Sequence, residues 1–533
     1  MKTRIIYFLV AIFLFNEVLM AGNNDQLVVE IDSVAIEFSE TITAEDLSKH
    51  LGILASDEYL GREATKEGGK LASKYIANKF KFLGFEPIVD GSYFQKFPLT
   101  LKNNEKIIIK ADGIKYKFLK NFYCLKGFND FEIANAEIIF VGYGINSGQY
   151  NDFRDSTNLD GKILMYLDKE PFTVRGKSYI TETEESSEWS KSWRKKLEHL
   201  KRYNPTCVLV VDNSLAENME KKGDHIAKKM VSLIGVVEEP SKYPPVLYIS
   251  EEMADNLLGD NGTNVGKIIK KISRSGKTDR MKLMTKIDIS AKNRDEDTVY
   301  ASNVLGYIEG SEIKDEVVIV TAHYDHLGKK RDKIYNGADD NASGTSAILE
   351  LAEAFALAKE RGYEPRRSIL FMPVSAEEKG LLGSKYYVNY PVFPLENTVA
   401  NLNVDMIGRI DKNHENGNYI YIIGSDKIST ELHKINEQAN ATYCNLELDY
   451  TYNDPKDPNR FYYRSDHYNF AKNGVPIIFY FNGVHEDYHK HTDTADKIDH
   501  EKMEKITRLI FFTTWELANR ENRVVVDKKA EEK

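Results

Sequence analysis

A chain of 533 residues is too long for one compact core and points to two or three domains. Its composition, 42% hydrophobic and 29% charged without a low-complexity block, is that of a folded globular protein. A net charge of −10 excludes nucleic acid as the main partner, because that would require a basic face.

The first residues differ from the rest. Lys2 and Arg4 precede an apolar run at 5–15, and Ala21 follows shortly after. A basic start, a short apolar core and a small residue near its end predict a signal peptide over 1–21, and hence an exported protein, periplasmic or secreted. The run is well short of the ~20 residues that a spanning helix needs, so no membrane span is expected in the mature protein. Cys124, Cys207 and Cys444 match no cysteine-type zinc spacing and read as buried, inert thiols.

Residues 43–85 read as helix. Thr43 is a candidate cap, Leu47, Leu51, Ile53 and Leu54 form an approximate apolar face, and a second helix runs over 69–82. Partial alternation over 105–124 predicts short strands. Together 22–130 read as an N-terminal segment of the main domain. Residues 131–290 read as a β-rich insert, with strands at 136–141, 161–167 and 207–211 and a charged helical stretch at 181–201. Gly142-Tyr143-Gly144 is too little for a nucleotide loop and reads as a turn. A charged linker at 292–297 leads into a third region, 291–520, and a charged tail closes the chain at 521–533.

In that third region short apolar runs at 317–320, 368–372, 402–404 and 475–479 alternate with helical segments. One is 345–357, where Ile348, Leu351, Ala352 and Phe355 share a face; another is 502–517. Such alternation predicts an α/β fold with a mainly parallel (mixed) sheet sandwiched by helices. Several of these strands run straight into groups that can bind metal. The first leads to His323-Tyr324-Asp325-His326, the second to Glu377-Glu378 and the third to Asp405. Ligands bind at the carboxyl edge of such sheets, and imidazoles with carboxylates suit a divalent metal, zinc first. Each motif alone is weak: a lone His-x-Asp is more often a hydrogen-bonded pair, and Glu-Glu a solvated one. Their conjunction carries the reading.

The segments HYDHLG, GADDNASG, SAEEKGLLGS, NVDMIG, RSDH and YHKHTDTADKID resemble those of the two-zinc exopeptidase family of bacterial leucyl aminopeptidase and glutamate carboxypeptidase II. The match runs from about 303 to 517, more loosely to Leu60-Gly61-Arg62, and the insert resembles a protease-associated domain. The resemblance implies a zinc-exopeptidase fold, peptide substrates and two Zn2+ per chain. It implies His323 and Asp405 on one metal, Glu378 and His489 on the other, and Asp340 bridging both. Asp325 would hold the His323 imidazole by a hydrogen bond. Glu377 would be general base and then acid toward a water activated by both metals, and Tyr462 an oxyanion donor. His491 competes with His489, Asp339 with Asp340, and Tyr463 with Tyr462.

The function expected is therefore an exported aminopeptidase. A carboxypeptidase acting on acidic peptides would need an arginine cluster, for which Arg409, Arg460 and Arg464 are candidates. A receptor-like binding protein would have lost metal ligands, and a single-zinc glutaminyl cyclase would not need the full bimetal set. Neither Gly-x-Ser-x-Gly nor His-Glu-x-x-His occurs.

Overall fold

The computed structural model describes residues 31–529 except 103–106, 126–129, 155–157, 227–229, 238–241 and 293–297. The segment read as a signal peptide, most of the charged linker and the last four residues lie outside the described residues.

The carboxyl-terminal region is built on a seven-stranded sheet. Its order is Gly306–Ile308, Arg367–Val374, Ile313–His323, Thr398–Val404, Ile477–Phe481, Tyr419–Ile423, Glu447–Asp449. The four strands from Arg367–Val374 to Ile477–Phe481 are parallel. Gly306–Ile308 pairs antiparallel with Arg367–Val374, and Tyr419–Ile423 antiparallel with Ile477–Phe481, which makes the sheet mixed, as the alternation predicts. Both faces are covered. Along Ile313–His323, Val318 and Val320 enter one core, with Ile348, Phe355, Ile506 and Ile510 of helices Gly344–Glu360 and His500–Asn519. Val317 and Ile319 enter the other, with Tyr387 and Phe470. The two-residue period of a strand buried on both sides makes such runs continuously apolar.

Helix Ala44–Leu54 is capped by Thr43, whose hydroxyl accepts from Asp46 N at 3.1 Å. Leu47, Leu51 and Leu54 face the core, whereas Ile53, six residues after Leu47, rotates off that face and is 39% exposed. Among the described residues no helix is long and apolar enough to cross a membrane.

The insert carries its own eight-stranded sheet, ordered Ile114–Tyr116, Ile107–Ala111, Met281–Ala291, Phe131–Phe140, Ile163–Leu167, Cys207–Val211, Val246–Ile249, Phe122–Tyr123. Residues 107–123, grouped from the sequence with the N-terminal segment, thus pair in this sheet. Ile114–Tyr116 pairs locally with Ile107–Ala111, but Ile107–Ala111 and Phe122–Tyr123 also pair with strands more than 120 residues along the chain, beyond the reach of local pattern. The charged stretch at 181–201 is two short helices, Glu188–Lys191 and Trp193–Leu200, after a run of turns. The insert is also more helical than expected: Glu251–Leu258 and Val265–Ser275 cover one face of its sheet. Its entry strand Phe94–Lys102 and return strand Thr298–Val304 pair antiparallel, so the insert leaves and rejoins at one place. Leu233 and Val236 of the insert pack with Ala376 and Leu382, which bracket Glu377 and Glu378. All three cysteines are free; Cys124 and Cys207 are buried and Cys444 half-buried, and burial pushes each thiol up to about 12.

Candidate metal centre

The carboxyl edge of the parallel strands delivers the site. His323 is the last residue of its strand, Asp405 directly follows Thr398–Val404, and Glu377 and Glu378 follow Arg367–Val374 by three and four residues. Asp340 sits in the buried turn before helix Gly344–Glu360, and His489 on a loop after Ile477–Phe481. These six side chains line one cavity of about 400 Å³.

Asp340 lies between two sets of groups. Its Oδ1 is 3.4 Å from His323 Nε2, and its Oδ2 is 3.1 Å from His489 Nε2. His323 Nε2 is also 3.3 Å from Asp405 Oδ1, and His489 Nε2 3.4 Å from Glu378 Oε2. Asp339 points elsewhere: its carboxylate accepts from Gly408 N at 2.7 Å and lies 3.2 Å from His485 Nε2. His491 is likewise excluded, with its Nε2 on Lys333 Nζ at 2.9 Å. Asp340 and His489, the member of each pair that the resemblance favours, are the ones that line the cavity.

Two expectations change. The Asp325 carboxylate does not reach His323. Instead the Asp325 main-chain carbonyl faces His323 Nδ1 at 3.0 Å, and its Oδ1 accepts from Glu377 N at 3.1 Å. The residue still orients His323, through its backbone, while its carboxylate fixes the Glu377 turn. Tyr462 does not line the cavity; Phe461 and Tyr463 do. The three form a 3₁₀ turn, which sets successive side chains about 120° apart, and Tyr462 packs against His467 and Gly424 instead.

His326 was missed. Fully buried, it places Nδ1 2.8 Å from Glu378 Oε1 and 3.7 Å from Asp340 Oδ2. The second histidine of HYDH was the only sequence signal for it. Ligand atoms of His323, Glu377 and Asp405, and those of His326, Asp340 and Glu378, form two groups each within 4.8 Å. The Asp340 and Glu378 carboxylates, with side chains only 4% and 6% exposed, stand close enough to repel each other, which is unfavourable unless a cation is held there. Mixed imidazole and carboxylate donors fit zinc. A third group, His50 with Glu350 and Glu353, lies apart; there His50 already bridges Tyr75 at 2.6 Å and Glu350 at 3.2 Å.

The supporting contacts are dense. Asp493 accepts from Asp339 N and Asp340 N at 3.1–3.2 Å. Asn341 donates to Val404 O at 2.9 Å and accepts from Met406 N at 3.2 Å, tying the Asp340 and Asp405 loops together. The Ser465 hydroxyl donates to Asp405 Oδ2 at 2.6 Å. The two adjacent glutamates are driven apart. Burial, with the charges of Glu378, Asp466 and Asp405, pushes the Glu377 carboxyl well above the usual range against the pull of His323. Burial raises Glu378 too, but hydrogen bonds from His326 and His489 bring it to about 2. Environments that separate two carboxyls in this way give one a proton-carrying role and the other a charged one.

Beyond the polar wall the cavity is lined by Leu381, Met406, Phe461, Phe479 and Phe481, with Tyr463, Tyr488 and Arg464. Arg409 is committed to Glu486 at 3.0 Å and Asp487 at 3.1 Å, and Arg460 stacks on Tyr463, so of the three arginines only Arg464 lines the cavity.

Residues 303–514 match the model of Peptidase family M28. The Bacillus subtilis aminopeptidase YwaD is 27% identical over 237 residues, which are 43% of this chain and 47% of that protein. A probable glutamate carboxypeptidase of Arabidopsis thaliana, AMP1, is 43% identical over 105 residues, 20% of this chain and 14% of that one. The chain thus spans less than half the length of either relative. An aminopeptidase from Aneurinibacillus sp. strain AM-1 shares the fold over 93% of this chain and all of its own, at 18% identity and a TM-score of 0.50. The segment that carries the metal centre, residues 303–514, therefore belongs to peptidase family M28.

Proposed function

We propose that the chain is an exported two-zinc aminopeptidase that removes large apolar residues from the N-termini of peptides. The observation that carries the two-metal reading is Asp340, whose two carboxylate oxygens face different histidines. His323 and Asp405 would hold one zinc, Glu378 and His489 the other, with Asp340 shared. Two bound zinc ions would polarise the scissile carbonyl and acidify a water held between them.

The chain's own groups do the rest. Glu377, lining the cavity next to but distinct from the Glu378 ligand, takes the proton of the attacking water and returns it to the departing amine. Asp325 holds the Glu377 backbone so that its carboxylate stays 3.9 Å from His323. Tyr463 replaces Tyr462 as the donor to the developing oxyanion. Leu381, Met406 and the three phenylalanines favour an apolar side chain. Arg464 alone in the cavity argues against acidic C-terminal substrates, which would need several cations. Export rests on the basic-then-apolar N-terminus, and the protease-associated reading of the insert on the sequence resemblance.

A panel of aminoacyl nitroanilides, each with a free and an acetylated α-amine, tests the direction of attack. Cleavage of free leucyl and phenylalanyl substrates and none of the blocked ones is expected. Cleavage of C-terminal residues from blocked peptides would replace this reading with a carboxypeptidase. Tyr463→Phe should lower kcat by about 10²-fold or more, as removing an oxyanion donor does, and Tyr462→Phe by far less; the reverse order would restore Tyr462. By isothermal titration, His489→Ala should weaken zinc binding by at least ~10-fold more than His491→Ala. Equal losses would undo the choice of His489.

A further inference from the structure

Arg62 is one of the largest fully buried side chains in the protein, and it lies about 260 residues before the metal loops in sequence. The four hydrogen bonds its nitrogens donate all end on main-chain carbonyls. Nε reaches Tyr324 O at 2.8 Å, Nη1 reaches Leu54 O and Asn336 O at 2.6 Å each, and Nη2 reaches Gly337 O at 2.7 Å. Tyr324 lies between His323 and Asp325, and Gly337 three residues before Asp340. One planar fork therefore spans both loops that carry the proposed ligands and ties them to the end of helix Ala44–Leu54. The Arg62 carbonyl in turn accepts from His326 N at 3.3 Å. Asn336 runs alongside, its Nδ2 donating to Ala55 O at 2.7 Å and Asp57 Oδ1 at 2.8 Å.

The local backbone is shaped for this placement. Leu60, Gly61 and Arg62 all have left-handed φ, at 50°, 66° and 49°. At Gly61 a Cβ would sit 2.3 Å from Tyr335 O and 2.8 Å from Gly328 O, so no side chain fits where the turn presses on the hairpin between the two loops. Left-handed conformations at bulky residues cost energy and persist where the surroundings enforce them. A buried guanidinium is also costly without compensation. Here the carbonyls offset part of that cost, and the carboxylates of Asp493, Asp340, Asp325 and Glu378 supply a favourable field.

We propose that Arg62, seconded by Asn336, is a positioning residue that fixes the spacing of the His323 loop and the Asp340 loop and thereby sets the affinity of the metal centre. It touches neither substrate nor metal. A lysine keeps the charge but offers one ammonium in place of a rigid fork, and cannot hold carbonyls of three separate segments at once. The inference rests on the two-zinc reading of the site.

The test is zinc affinity, measured on the full chain by competition with a chromophoric chelator, for wild type, Arg62→Lys and Arg367→Lys. Arg367 is a second fully buried arginine, paired to Glu316 at the opposite end of its strand from the site and bonded to carbonyls of Leu517, Arg520 and Glu521. It controls for general loss of stability. Arg62→Lys is expected to weaken zinc binding by about 10- to 100-fold, the usual effect of removing a group that orients ligands. Its kcat and KM should return to near wild type once zinc is saturating, and Arg367→Lys should leave affinity unchanged. Equal affinity in Arg62→Lys and wild type, or equal losses in both variants, overturns the proposal. If Arg62→Lys does not fold, Asn336→Ala carries the test, and unchanged affinity there overturns it as well. A wild-type protein that binds no zinc would instead remove the two-zinc reading on which the inference stands.

Discussion

Glu377→Gln is expected to fold, to bind zinc as the wild type does and to turn over peptide substrates about 10³-fold more slowly, with KM little changed. The amide is isosteric, and the main-chain N–H that Asp325 Oδ1 accepts at 3.1 Å is retained, so the turn keeps its shape. What disappears is the proton carrier. General acid–base groups contribute about 10²- to 10⁴-fold, and the upper part of that range is expected if, as proposed, Glu377 serves both water and leaving amine. A 10³-fold loss corresponds to about 4 kcal/mol in the barrier. Single-turnover kinetics and metal analysis on the same preparation check it. Full activity with Gln would assign the proton to another group, and lost zinc would move Glu377 into the ligand set.

Asp340→Asn has the second large effect, of a different kind. An amide presents one acceptor oxygen and an N–H2 that repels a cation, so it cannot serve both His323 and His489 sides at once. On the two-zinc reading, zinc should fall from two per chain toward one, and activity by at least about 10³-fold even at excess metal, because no single carboxylate would then serve both sites. Asp339→Asn is the matched control. Its oxygens hold Gly408 N and face His485 rather than the cavity, so it should cost stability without lowering zinc content at saturation. If the two variants exchange behaviour, Asp339 is the bridge.

Much of this centre is legible in the sequence because the fold puts chemistry next to pattern. His323, Glu377 and Glu378 follow short apolar runs and Asp405 a run interrupted by Asn401 and Asn403, and such runs mark strands buried on both faces whose carboxyl ends share one edge. The alternating cores of Val318 and Val320 against Val317 and Ile319 are the physical counterpart of that pattern. Local pattern fails where rotation or long-range pairing decides. Tyr462 and Tyr463 are equivalent in composition and differ by about a third of a turn, which only the 3₁₀ geometry reveals. Asp325 orients His323 with its backbone, for which the residue type is silent. Burial alternates along strand Ile107–Ala111, but the sequence does not, since Ile108 faces out, and its partner residues in Met281–Ala291 lie 176 to 184 positions away. The reach of Arg62 to Tyr324 and Gly337, and that of His326 to Glu378, were unreadable for the same reason.

On the function proposed above, two zinc ions held around Asp340 would make this chain a peptidase. The most direct measurement is zinc-dependent turnover: purified protein is stripped with chelator, then titrated with zinc while cleavage of leucyl nitroanilide and bound metal are followed together. No cleavage is expected in the stripped protein, with recovery that completes as zinc approaches two per chain. Cleavage that survives complete stripping, or full activity at one zinc, would contradict it.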